Sequence, residues 1–173
     1  MKREKKIIVV CHCLLNCNSK VEGLSVFGGA HDVTKKIIGD GYGLIQLPCP
    51  EMIMYGIKRW GHVKNQFDTP FFRSQCRRLL TPYILQFKDY IDNGYSIPSI
   101  IAVNYSPSCG KDKTCISKQC GGNTKETGEY NVEIVNEKGV FIEILENMLR
   151  EEKLEIKIIG LDEKKYDDTF EFL

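Results

Sequence analysis

Two short runs of apolar, mostly β-branched residues constrain the fold of this 173-residue chain more than any other feature. Lys6 to His12 reads KIIVVCH and Ser99 to Asn104 reads SIIAVN. A strand with one wet face alternates apolar and polar residues. A strand apolar at successive positions is buried on both faces, which a parallel sheet covered by helices provides. Tyr42 to Leu47, stopped by Pro48, and Glu155 to Leu161 read as two further strands.

Helical stripes lie between these runs. Ser25 is placed to cap a helix from Val26 to Gly39, with Phe27, Ala30, Val33 and Ile37 on one face. Pro48 to Asp68 is a long connection. Thr69-Pro70 then opens a helix carrying Phe72, Cys76, Leu79, Leu80, Tyr83, Ile84, Phe87 and Ile91, ended by Asn93-Gly94. Pro82 predicts a kink or a restart capped by Thr81. Ser106 to Gly128 is polar and rich in Gly, Lys and Cys, and the alternation of Tyr130, Val132 and Ile134 predicts an edge strand or hairpin arm. Phe141, Ile144, Leu145, Met148 and Leu149 mark a last helix, and the acidic, aromatic tail from Asp162 to Leu173 has no assignment. Strands alternating with helices imply an α/β fold: three layers, a mostly parallel sheet of four to five strands with helices on both faces, of the Rossmann or flavodoxin-like kind. With 42% hydrophobic and 27% charged residues, residues 1–173 form a single domain, and a disordered or collagenous chain is excluded.

Lys and Arg number 24 against 23 Asp and Glu, a net charge of +1, so no general basic field exists and stable nucleic-acid binding is not expected. No apolar run reaches the roughly 18 residues of a membrane span. The apolar run behind the basic N-terminus, Ile7 to Val10, is too short for a signal-peptide core, which predicts a cytoplasmic protein with no membrane partner.

In a reducing compartment the eight cysteines are not a disulfide framework; they more often bind metal or react. Cys13, Cys49 and Cys109 each follow a strand, 36 and 60 residues apart. The strand ends of an open parallel sheet share one edge, and ligands bind in the crevice there, so the three thiols should converge. Converging thiolates could hold zinc, an iron–sulfur cluster, or nothing. No C-x2-C pair exists, which weakens both a structural zinc site and a thioredoxin-type redox pair. Cys13-x3-Cys17 begins like a radical cluster motif, but Lys20 stands where its third cysteine belongs. A [4Fe-4S] cluster accepts distant thiolate ligands, and three of them leave one iron open.

Three ordered motifs then resemble the TudS family of thiouracil desulfidases. The family's Cys-Leu-Leu-Gly segment, ending in a basic residue, an aromatic, an acid and Gly, reads here Cys13-Leu14-Leu15-Asn16 and Lys20-Val21-Glu22-Gly23. Cys49-Pro50-Glu51 and Ser106-Pro107-Ser108-Cys109-Gly110 stand intact. The resemblance spans about residues 6 to 161 and describes a divergent branch: Asn16 replaces Gly, Lys20 replaces Arg and Val21 replaces the aromatic. It implies a [4Fe-4S] cluster on Cys13, Cys49 and Cys109 and removal of sulfur from a small thiolated nucleobase or thioamide. The open iron accepts the sulfur and water oxygen replaces it without redox change. Glu51 would be the general base, and Ser106 or Ser108 would orient substrate or relay a proton. Lys20, Glu22, Tyr55 and Trp60 are candidate substrate contacts.

Simpler readings stand beside these. Glu51 suits the first turn of a helix, and the two serines flank a proline as turn residues do. Tyr55, Trp60 and Phe67 could stack on a planar base or anchor their loop. Lys58, Arg59 and Lys64 suit a phosphate-bearing substrate or are a solvated charged face. Cys76 and Cys11 read as core, His31 as surface, and His62 as part of the loop over the site. Zinc could replace the cluster, or clip the loop through Cys109, Cys115 and Cys120. The alternative function is a non-catalytic zinc or iron–sulfur protein for storage, sensing or electron transfer, with Cys17 as the obvious fourth ligand.

Overall fold

The computed structural model describes residues 3–118 and 132–173. The two apolar runs form β1 (Ile7–Val10) and β3 (Ser99–Val103), which lie side by side at the centre of a four-stranded sheet. Every residue of both strands is buried, as their sequence requires. The edge strands β2 (Gly43–Gln46) and β6 (Lys157–Leu161) are only partly covered. The order is β2-β1-β3-β6 and every pairing is parallel, with Val10 opposite both Gln46 and Ile101.

The chain steps from β1 to β2 in one direction along the sheet and then to β3 and β6 in the other. Right-handed crossovers therefore place α2 (Asp32–Gly39) on one face and α5 (Pro70–Asp92) with α6 (Val140–Glu151) on the other. The reversal lies between β1 and β3, and the crevice beyond their carboxyl ends is where such a sheet binds ligands.

Among the described residues the C-terminal tail packs beside α2 as well. Phe172 is buried with its ring edge-on to Tyr42, and its carbonyl accepts the Ser99 hydroxyl; Tyr166 packs edge-on to His31.

Several sequence expectations change. The helix expected over 26–39 begins only at Asp32, because Gly29 takes φ +78° and His31 is the cap, its Nδ1 accepting the Val33 N–H at 3.1 Å. His31 is therefore buried rather than on the surface. Helix α5 runs unbroken through Pro82, and Thr81 does not cap a restart: its hydroxyl donates back to the Arg77 carbonyl at 2.9 Å. The connection Pro48–Asp68 contains two short helices, α3 (Pro50–Tyr55) and α4 (Lys64–Phe67). The arm carrying Ile134 is β5 (Glu133–Val135), paired antiparallel with β4 (Thr114–Ile116), a strand the polar surroundings hid. Tyr130 and Cys120 lie outside the described residues.

Burial holds the His31 imidazole below its ordinary pKa. The unfolded chain then binds more protons than the folded one, so this stability is complete above about pH 6.5 and drains away as pH falls. Denaturation midpoints should drop between about pH 7.5 and 5.5. His31→Asn, which keeps a capping oxygen and cannot titrate, should flatten that slope.

Candidate functional site

Cys13 lies in α1 (His12–Leu15), one helical turn beyond β1. Cys49 is the N-cap of α3, two residues past Leu47, and its sulfur accepts the Met52 N–H at 3.4 Å. Cys109 is six residues past β3, yet its loop folds back on the strand end. Val103 N–H donates to the Cys109 carbonyl at 3.0 Å, and Gly110 N–H donates to the Ser106 carbonyl at 3.1 Å. The same loop caps α6: the N–H groups of Phe141 and Ile142 donate to the Ser108 carbonyl at 2.9 and 3.2 Å, and Val140 N–H to that of Pro107 at 3.2 Å. Those amides have no partner within the helix, so the loop and the helix end satisfy each other.

Gly139 permits this contact. A Cβ there would lie 2.4 Å from the backbone carbon of Ser108. Gly139→Ala should cost about 1–3 kcal/mol and displace the Cys109 loop, read as a lower melting temperature.

Cys13, Cys49, Cys109, Glu51, Ser106, Ser108 and Lys20 line one cavity of about 540 Å³ at this strand edge. The structure thus brings together the residues of all three motifs. Glu51 is buried between two donors. The Ser108 hydroxyl donates to its Oε1 at 2.5 Å, and Arg59 Nε faces its Oε2 at 3.4 Å. Arg59 also donates to the carbonyls of Gly56 at 3.2 Å and Ser19 at 2.6 Å, and its side chain is only 3% exposed. It is neither a solvated charge nor an open phosphate ligand. Lys64 is likewise buried, paired with Glu137 and Glu143 at 2.9 and 2.7 Å. The two serines separate in role: the Ser106 hydroxyl accepts the Cys109 N–H at 3.0 Å and holds the turn, whereas Ser108 addresses Glu51.

Lys20 reaches the wall in an ion pair with Glu163 at 2.5 Å. Glu163 and its neighbour Asp162, which accepts the Tyr105 hydroxyl at 3.0 Å, belong to the tail that carries no sequence signal. Glu22 is exposed and lies off the cavity wall. Tyr55 and Trp60 also lie off it: they pack on His62, Tyr55 packs on Phe67 too, and Trp60 is 62% exposed. His62 does line the cavity. Cys11 and Cys76 are core, and buried Cys17 stands off the cavity, its sulfur accepting the Gly29 N–H at 3.1 Å. Cys115 lines the wall near Glu51, its thiol pushed up to about 11 by burial.

The three motif thiols resist ionisation. Burial, then the neighbouring Cys109, raises Cys13 far above the ordinary thiol value. The same two causes push Cys49 up to about 12. Cys109 is raised first by its hydrogen bond with Cys11 and then by burial. Mutually repelling, desolvated thiolates become favourable when a cation neutralises them, so the donor set fits a soft metal group. Among the described residues no three His, Cys, Asp or Glu side chains are grouped to hold one metal ion. A four-iron cluster takes each cysteine on a different iron, so its ligands need not meet at one atom.

The fold and the site define an α/β protein with a thiol-lined cavity at the reversal point of a parallel sheet. The chain is 34% identical over 157 residues to the uncharacterized protein MJ0003 of Methanocaldococcus jannaschii, covering 84% of this chain and 98% of that protein. It belongs to the family of that archaeal protein. No family profile matches the chain, and no solved structure matches it significantly. Among the described residues no helix is long and apolar enough to cross a membrane.

Proposed function

We propose that this protein is a desulfidase that removes sulfur from a small thiolated heterocycle or thioamide, with a [4Fe-4S] cluster held by Cys13, Cys49 and Cys109. The observation that carries the reading is the convergence of these three thiols with a Glu51–Ser108 pair on one cavity, in the three motifs that resemble the TudS family. When bound, the cluster supplies an iron with an open coordination position, a Lewis acid for the substrate's sulfur.

The chain's own residues supply the rest. Glu51 removes a proton from the water that attacks the carbon bearing sulfur, and Ser108 relays a proton between Glu51 and the substrate. Arg59 holds the carboxylate in place through Oε2, leaving Oε1 toward Ser108. The buried setting keeps bulk water from competing. The net reaction exchanges a thiocarbonyl and water for a carbonyl and hydrogen sulfide, with no electrons transferred. A role limited to electron transfer or storage would favour a fourth cysteine; Cys17 is engaged by Gly29 away from the cavity, and the fourth thiol on the cavity wall is Cys115.

The test is anoxic reconstitution followed by iron and sulfide analysis, then turnover of 2-thiouracil followed by loss of thione absorbance. Brown protein that consumes the thione supports the reading. Colourless protein holding one zinc per chain sinks it.

A further inference from the structure

The cavity has a mouth unlike its floor. Cys109, Glu51 and Ser108 are buried at the strand ends, and Cys13 and Cys49 are partly buried beside them. At the opening stand Leu24 and Val26, from the loop that precedes α2, and Ile134, from β5. They are 52%, 48% and 48% exposed, and each lines the cavity. Two segments 110 residues apart in sequence thus present branched aliphatic side chains to solvent at one opening. Isolated surface leucines need no explanation; aliphatic side chains gathered at the rim of a ligand cavity mark where an apolar group is covered.

The buried charges of the lining are committed, whereas Lys164 and Lys165, both exposed, also line the cavity beside the aliphatic side chains. Lys20 is paired with Glu163, Arg59 with Glu51, and Asp162 accepts the Tyr105 hydroxyl. The volume of about 540 Å³ would hold the proposed cluster together with the substrate.

We infer that the natural substrate carries an apolar substituent on its thiolated ring, and that Leu24, Val26 and Ile134 cover it. The inference rests on the desulfidase reading for the identity of the ring, and it names the substrate class of that site: an alkylated or fused-ring thio-heterocycle rather than a bare one. Each methylene covered by these side chains adds affinity without touching the reacting carbon. The substituent also supplies binding energy remote from the C–S bond, which can serve the chemical step.

The probes are 2-thiouracil and 6-propyl-2-thiouracil, which differ only in three carbons. Binding is read by calorimetry on the full-length, anoxically prepared protein, and turnover by loss of thione absorbance. The wild-type protein should bind the propyl compound about tenfold more tightly, the equivalent of between one and two fully buried methylenes. In the double variant Leu24→Ser, Ile134→Ser the ratio of the two dissociation constants should fall to near one. Both positions are half exposed, and the melting temperature and iron content of the variant verify that it is folded and loaded. Two further single variants, Leu24→Ala and Val26→Ala, should lower the ratio by smaller steps.

A wild-type protein that binds both compounds equally, or neither, overturns the inference, and so does a folded double variant that keeps the tenfold preference. Preference for the propyl compound without turnover of either sinks the desulfidase and leaves the apolar subsite standing. Turnover without preference does the reverse.

Discussion

Anoxically reconstituted Cys109→Ala protein should hold almost no iron, falling from about four atoms per chain to well under one. Each of the three motif thiols is one third of the proposed ligand set, and among the described residues the other thiol on the cavity wall is Cys115. Cys11 is buried in the core and Cys17 accepts the Gly29 N–H away from the cavity, so neither takes the place of Cys109. Alanine also preserves the loop, because the backbone of residue 109, not its side chain, accepts Val103 N–H and donates to Ser106. The fold should therefore survive with its melting temperature nearly that of the unloaded wild-type protein. Cys13→Ala and Cys49→Ala should behave alike, whereas Cys76→Ala, in the core stripe of α5, should keep its iron and lose stability instead. Full iron in Cys109→Ala would remove that residue from the ligand set.

Glu51→Gln should lower turnover of a thiolated substrate by about 10²–10⁴-fold, the usual contribution of a general base, while leaving the iron content unchanged. The amide oxygen can still accept the Ser108 hydroxyl, while the amide nitrogen meets Arg59 Nε donor to donor, so the melting temperature is read beside the rate. A loss in kcat with little change in KM separates this role from a structural one. Ser108→Ala should share part of the defect. Ser106→Ala should act through the turn, costing stability and iron together. If Glu51→Gln turns over at the wild-type rate, Glu51 is only a first-turn helix residue paired with Arg59.

Much of this could be read from the chain. The central strands were legible because they are buried on both faces, and a doubly buried strand shows an unbroken apolar run. The convergence of Cys13, Cys49 and Cys109 followed from their position after strands, since a parallel sheet puts all its carboxyl ends on one edge. Boundaries failed where a local signal misled. Apolar spacing at Phe27 and Ala30 imitated a helix that Gly29 and the His31 cap prevent from starting before Asp32. The turn signal of Pro82 was overridden by the packing of α5, whose buried stripe continues on both sides of it.

The site's second layer was not legible, because it depends on pairings distant in sequence. Arg59 and Lys64 looked like a solvated basic loop; only the fold brings Glu51, Glu137 and Glu143 to them. Glu163 pairs with Lys20 across 143 residues of sequence. Tyr55 and Trp60 looked like a stacking platform, and the fold packs their rings on His62, off the cavity wall.

The loop that presents Cys109 is also the cap of α6. Folding the helix and aiming the thiol are therefore one event: a chain that has completed its last crossover has already set this ligand in place. The proposed cluster would then meet a loop already shaped by the helix it caps, with little reorganisation of the polypeptide on this side. Loss of such a cluster to oxygen would, for the same reason, leave the loop in its shape, ready to be refilled.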